Sequence, residues 1–109
     1  MQIRTRITHS DVSEAFREYI ERRLRFGLDR FADRVGAISV CIKADGPGGY
    51  QCRMSAQILP SGEVTTSEND FDLLTAISRA AGKMSHQIGR ELERMKNGRV
   101  KRDSIRLAA

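Results

Sequence analysis

Four short stretches of the chain alternate between apolar or small residues and polar ones, with a period of two. They cover residues 2–8, 37–44, 50–58 and 63–68. Successive side chains of a β-strand point to opposite faces, so this alternation predicts four strands that each bury one face. Glycine- and proline-containing turns at 46–49 and 60–62 separate the last three strands and predict two antiparallel hairpins.

Two further stretches repeat apolar residues at intervals of three and four, which is typical of amphipathic helices. The first begins near Val12, where Asp11 and Glu14 resemble a capping box, and it ends between Arg25 and Phe31. The second has a longer apolar stripe, which comprises Leu74, Ile77, Ala81, Met84, Ile88, Leu92 and Met95.

The second helix carries its own start and stop signals. Asn69 or Asp70 is expected to cap its N-terminus, and Asn97-Gly98 is expected to end it. We therefore predict a folded α+β domain over residues 1–96. Residues 97–109, with four basic residues against one acid, are predicted to form a mobile basic tail.

The element order β-α-β-β-β-α predicts a two-layer sandwich. A right-handed crossover makes the first two strands parallel, so the four-stranded sheet is mixed, and both helices cover its apolar face. Pairing Ile42 with Cys52 and Ile58 with Val64 keeps both hairpins in register with that face. The same register places Cys41 on the outer face, opposite to Cys52, which excludes a disulfide between them.

The net charge is unevenly distributed. Residues 1–70 contain ten Lys or Arg and ten Asp or Glu, whereas residues 71–109 contain nine against four. The whole excess of +5 thus lies in the last third of the chain. This asymmetry indicates a polyanionic partner, although a solvated helix with a basic tail would have the same composition.

The second helix concentrates this charge on one side. We call the following residues, which are spaced by three or four, the basic ridge: Arg79, Lys83, His86, Arg90 and Arg94. They span roughly 20 Å and could contact several phosphates. A smaller cluster on the first helix contains Arg22, Arg23 and Arg25, but glutamates lie nearby. For both groups the alternative interpretation is a solubilising helix face.

Other functions have less support from the residues. The two histidines, His9 and His86, are far apart in sequence, and the Gly46–Gly49 turn joins strands rather than opening a helix. No spacing indicates a metal or cofactor site, so we expect no enzyme. No stretch has the length of a membrane helix or the apolar core of a secretory signal, and we expect a cytosolic protein.

The aromatic residues do not predict a base-stacking platform. Phe16, Tyr19, Phe31 and Phe71 fall on or near the core stripes, while Tyr50 and Phe26 are ambiguous. Without an exposed aromatic pair on a strand, readout of single-stranded bases by the sheet is disfavoured. Recognition of structured RNA through its shape and phosphates fits the residues better.

The ordered motifs resemble one known family. They are the opening Met1-Gln2-Ile3 strand, the helix start Asp11-Val12-Ser13-Glu14-Ala15-Phe16-Arg17-Glu18-Tyr19-Ile20, and the segment from Asp70 to Met84 with its Ala76-Ile77 and Lys83. Over residues 1–96 they resemble the ribosome hibernation-promoting factor family, also called the ribosome-associated inhibitor or sigma-54 modulation family. The resemblance is to a divergent short form, with Ser85, His86 and Gln87 where more lysine is usual.

The resemblance implies a fold similar to double-stranded-RNA-binding domains and a role on the ribosome. Family members bind the small subunit near the decoding centre and block tRNA and mRNA in stress or stationary phase. The RNA contacts carried over from the family are Arg22, Arg25, Arg79, Lys83, His86, Arg90 and Arg94. Pairing of two ribosomes through the C-terminal domain of the long members is not expected.

A second hypothesis belongs to another class of function. The outer sheet face, or the edge of the short fourth strand, could recruit a protein partner or a second copy. Binding that persists at high salt and without RNA would favour this protein-interaction module over the RNA-binding factor.

Overall fold

A computed structural model describes residues 2–7, 14–44 and 46–108, with only the backbone described for Ile7 and 97–108. The elements are β1 (Gln2–Ile7), α1 (Glu14–Leu28), a 3₁₀ helix (Asp29–Arg34), β2 (Val35–Ala44), β3 (Tyr50–Ile58), β4 (Glu63–Asp70) and α2 (Leu73–Ala108). The predicted order β-α-β-β-β-α is confirmed. Asp11 and Val12, with the predicted first cap, lie outside the described residues.

The four strands form one mixed sheet in the order β1-β2-β3-β4. β1 runs parallel to β2, and the other two pairs are antiparallel, as predicted. The β2–β3 register is also confirmed, since Ile42 lies opposite Cys52.

The predicted β3–β4 register is wrong by two residues. Val64 lies opposite Ala56 rather than Ile58. The amide of Ile58 instead donates to the carbonyl oxygen of Gly62 at 2.9 Å, which closes a shorter turn than predicted. Gly62 has φ +123°, a conformation that a residue with a Cβ adopts only with strain. A shift of two residues keeps every side chain on its predicted face.

One face of the sheet forms the core with both helices. The strands contribute residues that alternate except for a register shift between Val35 and Ile38, and the set comprises Val35, Ile38, Val40, Ile42, Cys52, Met54, Ala56, Ile58 and Val64. The helices cover this face with Ile20, Leu24 and Leu28 from α1 and with Leu73, Ala76, Ile77, Ala80, Ala81, Met84 and Ile88 from α2. The two-layer α+β architecture with both helices on one side is therefore confirmed.

The start of α2 differs from the prediction because β4 continues to Asp70. Asp72, not Asn69 or Asp70, precedes the first helical residue. Its carbonyl oxygen accepts the amide of Ala76 at 3.0 Å, and its Oδ2 accepts the Thr75 hydroxyl at 2.7 Å. The Asp72 carboxylate thus binds a hydroxyl of the first turn, and its negative charge favours the positive end of the helix dipole.

This start also corrects two predicted core residues. Leu73 is buried, whereas Leu74 is 43% exposed and Phe71 is 79% exposed. Phe71 lies in the two-residue connection between β4 and α2, so no helix face or strand face turns it inward.

The predicted end of α2 at Asn97-Gly98 is wrong, because the helix continues to Ala108. A glycine inside a helix costs only about 1 kcal/mol relative to alanine, and most residues after Gly98 favour helix. α2 thus crosses the predicted domain boundary at residue 96 without a break. That residues 97–109 form a mobile tail stays a prediction.

The two cysteines lie on opposite sides of the sheet, as predicted. Cys52 is fully buried, Cys41 is half-buried on the outer face, and both are free thiols. Burial of Cys52, and secondarily the neighbouring Cys41, raises the pKa of the Cys52 thiol to about 12 from its usual 9.0.

We expect this thiol to make the protein sensitive to alkali. Above pH 9 the unfolded chain loses the Cys52 proton while the folded chain keeps it, so stability falls between pH 9 and pH 12. At pH 10 the loss is about 1.4 kcal/mol. Urea unfolding at pH 8 and pH 10 should show a smaller drop for Cys52→Ala than for the wild type. An equal drop in both would refute this assignment.

Gly82 offers room for a side chain in the middle of α2. A Cβ there would meet only the flexible end of Arg23, at 4.0 Å. We expect Gly82→Ala to raise the free energy of unfolding by about 0.5–1 kcal/mol, because alanine loses less backbone entropy in a helix. The matched control is Gly48→Ala, which should destabilise because Gly48 has φ +82°. Chemical unfolding of both variants tests the contrast.

Candidate nucleic-acid interface

The two helices meet along a seam lined by small residues. The Ser85 hydroxyl donates to the carbonyl oxygen of Gly27 at 2.9 Å. Arg23 lies over Gly27 and Gly82, and the ring of Phe31 approaches Gly89. Arg23 meets Gly82, Gly27 meets Ser85 and Phe31 meets Gly89, so the residue numbers rise together in the two segments. The helices α1 and α2 therefore run side by side in the same direction. The glycines at positions 27, 82 and 89 leave room for the Arg23 and Phe31 side chains, so the two helices lie next to each other.

The basic ridge occupies the exposed flank of α2 between this seam and β4. All five of its residues are exposed, as the helical spacing predicts. The buried side of α2 is contributed by residues such as Ile77, Ala81 and Met84, three or four positions apart. The ridge is therefore a real structural feature of the domain.

Three ridge residues form ion pairs with acids. The Arg79 guanidinium lies 3.3 Å from an oxygen of Asp70, and Lys83 pairs with Glu68. Arg94 lies 3.8 Å from a carboxylate oxygen of Glu91, one turn away. These pairs are solvent-exposed on their basic side, and such pairs stabilise a fold by about 0–1 kcal/mol. A phosphate could therefore compete for these cations, but their field is partly neutralised.

Four predicted residues have no such partner. Neither His86 nor Arg90 on α2, nor Arg22 nor Arg25 on α1, forms an ion pair with any carboxylate in the described part of the chain. The glutamates near the α1 cluster form no ion pair with Arg22 or Arg25 among the described residues, where the ion pair within α1 joins Arg17 to Glu14. An external anion that binds Arg22 or Arg25 would therefore not have to displace a carboxylate of the described residues.

The structure brings Arg22, but not Arg25, towards the basic ridge. Arg23 and Gly27 contact α2. Arg25 is two residues from each of them, or about 200° around the helix, so it faces away from α2. Arg22 lies about 100° from Arg23 and is exposed beside the seam. The structure therefore places Arg22 on the side of α1 next to the seam and Arg25 on the side turned away from α2.

Phe26 is a feature of this surface that the sequence left ambiguous. Its side chain is 88% exposed on α1, one turn after Arg22 and next to the seam residue Gly27. Phe26 does not share the helix face of the buried residues Ile20, Leu24 and Leu28. This position off the apolar stripe was the feature of the sequence that could have indicated an exposed ring. We use the term helix surface for Arg22, Phe26 and the basic ridge together.

Other chemistry is not assembled in the part of the chain that the structure describes. No group of three or more His, Cys, Asp or Glu side chains has metal-binding geometry among residues 2–7, 14–44 and 46–108. The helices in those ranges do not include one with the length and hydropathy needed to cross a membrane. His9 lies outside the described residues, so its predicted role in a turn is not tested.

Comparison with known proteins supports the resemblance drawn from the sequence. The profile of the family described as sigma 54 modulation protein / S30EA ribosomal protein matches residues 2–96. The chain belongs to this family. No curated protein matched the sequence.

Two solved structures share the fold. The N-terminal domain of Thermus thermophilus Protein Y is 29% identical, with a TM-score of 0.70 over 83% of this chain and 98% of that one. A ribosomal subunit interface protein from Coxiella burnetii is 17% identical, with a TM-score of 0.73 over 85% of this chain and 99% of that one. The second similarity concerns the fold alone.

Proposed function

We propose that this chain is a ribosome-associated translation inhibitor that binds small-subunit rRNA near the decoding centre and blocks tRNA and mRNA there. The observation that carries the proposal is the group of exposed basic residues on the two adjacent helices, in which Arg22, His86 and Arg90 have no carboxylate partner among the described residues. Membership of a family described as S30EA ribosomal protein supports the ribosome as the partner.

The mechanism is occlusion rather than catalysis. Arginine guanidinium groups bind phosphate oxygens through paired hydrogen bonds, and Arg22 and Arg90, which pair with no carboxylate of the described residues, can do so. Arg79, Lys83 and Arg94 join by exchanging an exposed carboxylate for a phosphate. Because both helices pack on one rigid sheet, the domain keeps its shape when bound and excludes other ligands. Its use in stress or stationary phase is part of the same proposal.

Phe26 is expected to add a stacking contact to this phosphate binding. An aromatic ring stacked on a base contributes about 1–3 kcal/mol, and Phe26 is exposed beside Arg22. We expect Phe26→Ala to weaken ribosome binding by about 10-fold, at the low end of that range. Phe26→Tyr should bind like the wild type. Thermal melts should remain unchanged, since the ring is not part of the core. Equal binding by Phe26→Ala would remove this residue from the interface.

Sedimentation with purified ribosomal subunits tests the proposed function. The protein should migrate with the small subunit in a sucrose gradient and should inhibit cell-free translation at the concentration that saturates binding. Addition of excess tRNA and mRNA before the protein should reduce its binding. Migration with the large subunit alone, or binding without inhibition, would contradict the proposal.

A further inference from the structure

The outer face of the sheet carries a second group of cations. Its members are exposed on three different strands, and we name them the sheet surface: Arg4, Arg6, Lys43 and Arg53. The strand register sets their arrangement, because Arg6 lies opposite Cys41 and Cys41 lies opposite Arg53. With neighbouring strands about 4.8 Å apart, the backbones of Arg6 and Arg53 lie about 10 Å from each other.

The other two cations lie in the adjacent rows of the sheet. Arg4 is opposite Ser39 in one row, and Lys43 is opposite Gln51 in the other. The remaining positions of these rows are neutral hydrogen-bonding residues, namely Ser55, Thr65, Ser67 and Asn69. The sheet surface is therefore a compact field of positive charge with hydroxyl and amide groups between the cations.

Acidic residues of β4 are directed away from this field. Glu68 and Asp70 alternate with Ser67 and Asn69 and lie on the helix side, where they pair with Lys83 and Arg79. The acid that shares the outer face is Glu63, at the opposite end of β4, and its carboxylate accepts the Thr65 hydroxyl. None of the four cations forms an ion pair with a carboxylate of the described residues.

We propose that the sheet surface binds a second segment of RNA backbone, so that the domain is held between two RNA segments, one on each face. The identity of the partner as RNA rests on the proposed function. The helices cover the inner face of the sheet, and the sheet surface lies on its outer face. The helix surface and the sheet surface are therefore separated by the thickness of the domain. One phosphate strand cannot therefore contact both, and a folded RNA that surrounds the domain can.

The composition of the face favours RNA backbone over an acidic protein partner. Protein interfaces bury aromatic and aliphatic anchors at their centres, and the sheet surface has Cys41 there. Arginines with interspersed hydroxyl and amide donors are the groups that contact phosphates and riboses. The outer sheet face was considered from the sequence as a docking surface for a protein. Its residues are better suited to nucleic acid.

Charge reversal on each face separates the two surfaces. The variants are Arg6→Glu/Arg53→Glu for the sheet surface and Arg22→Glu/Arg90→Glu for the helix surface, which change the net charge equally. With a fluorescent 12-base-pair RNA duplex as probe, each variant should lose binding at one face and keep it at the other. Titration of the wild type should give two duplexes per protein, and titration of each variant should give one. Thermal melts verify that both variants are folded.

Cys41 supplies an independent readout in the unmodified protein. It lies between Arg6 and Arg53, whereas Cys52 is fully buried with a thiol that stays protonated, so iodoacetamide should react with Cys41. Saturating duplex should slow that alkylation at least 5-fold in the wild type and in Arg22→Glu/Arg90→Glu. Polyglutamate of the same charge serves as the comparison for an acidic protein.

The outcomes distinguish this proposal from the proposed function. The sheet-surface proposal is overturned, and the helix surface left intact, if saturating duplex does not protect Cys41 from alkylation. It is also overturned if the wild type binds a single duplex and Arg6→Glu/Arg53→Glu binds RNA as well as the wild type does. Protection by polyglutamate but not by RNA also overturns it, in favour of a protein partner. Loss of binding only in Arg6→Glu/Arg53→Glu would support the sheet surface and refute the helix surface.

Discussion

Reversing the charge of Arg22 and Arg90 is expected to weaken ribosome binding by about 100-fold. Both side chains are exposed and have no carboxylate partner among the described residues, so each is available for a phosphate. Hydrogen bonds to charged groups contribute about 1.5–3 kcal/mol each, and the loss of two accounts for this factor at the lower bound. Co-sedimentation of Arg22→Glu/Arg90→Glu with small subunits at fixed salt measures the change.

A charge-matched control shows whether position or net charge determines the result. Arg17 and Arg34 are exposed and lie outside both the helix surface and the sheet surface. Arg17→Glu/Arg34→Glu should bind within about 3-fold of the wild type, since only long-range attraction is reduced, and salt screens such interactions. Equal losses in the two double variants would mean that binding depends on net charge and not on the helix surface.

Truncating Leu24 is expected to have the largest effect on stability. Leu24 is fully buried on α1, where it packs between the helix layer and the sheet. Leu24→Ala should lower the free energy of unfolding by about 3 kcal/mol, because it leaves a cavity in a close-packed core. Urea denaturation gives the value directly.

The matched substitution is Leu74→Ala on α2. Leu74 is 43% exposed, so the same loss of atoms should cost less than about 1 kcal/mol. If Leu74→Ala were as costly as Leu24→Ala, the corrected start of α2 at Leu73 would be wrong. Both variants should bind ribosomes normally under conditions in which they remain folded.

The alternation of polar and apolar residues predicted the sheet well for a physical reason. A slip of one residue turns a whole strand inside out, so the pattern determines which face of each strand is buried. A slip of two residues leaves every face unchanged, and the β3–β4 register was wrong by that amount. The pattern could not detect the difference, which depends on the turn that closes at Gly62.

The site was harder to predict than the fold because charge depends on neighbours distant in sequence. Helical spacing was enough to place Arg79 and Lys83 on one exposed flank. It could not show that Asp70 and Glu68 of β4 lie next to them, since that contact requires the folded sheet. The third acid that pairs with the ridge is Glu91, which lies on α2 three residues before Arg94. Helical spacing alone was enough to predict that pair.

The outer face shows the same limit in the opposite direction. The alternation placed Arg6, Lys43 and Arg53 on the outer face, but they belong to a segment whose net charge is zero, so composition gave no reason to single them out. The register gathers them on one side and directs Glu68 and Asp70 of β4 to the other. A neutral stretch of sequence can therefore fold into a strongly polarised layer.

Binding of small subunits over a series of salt concentrations tests most directly whether the helix surface binds RNA phosphates. Each phosphate contact contributes about −0.9 to the slope of log affinity against log salt for duplex nucleic acid. The wild type should give a slope of about −4 or steeper, and Arg22→Glu/Arg90→Glu should give one shallower by about 2. A wild-type slope near zero, or the same slope in both proteins, would contradict the account.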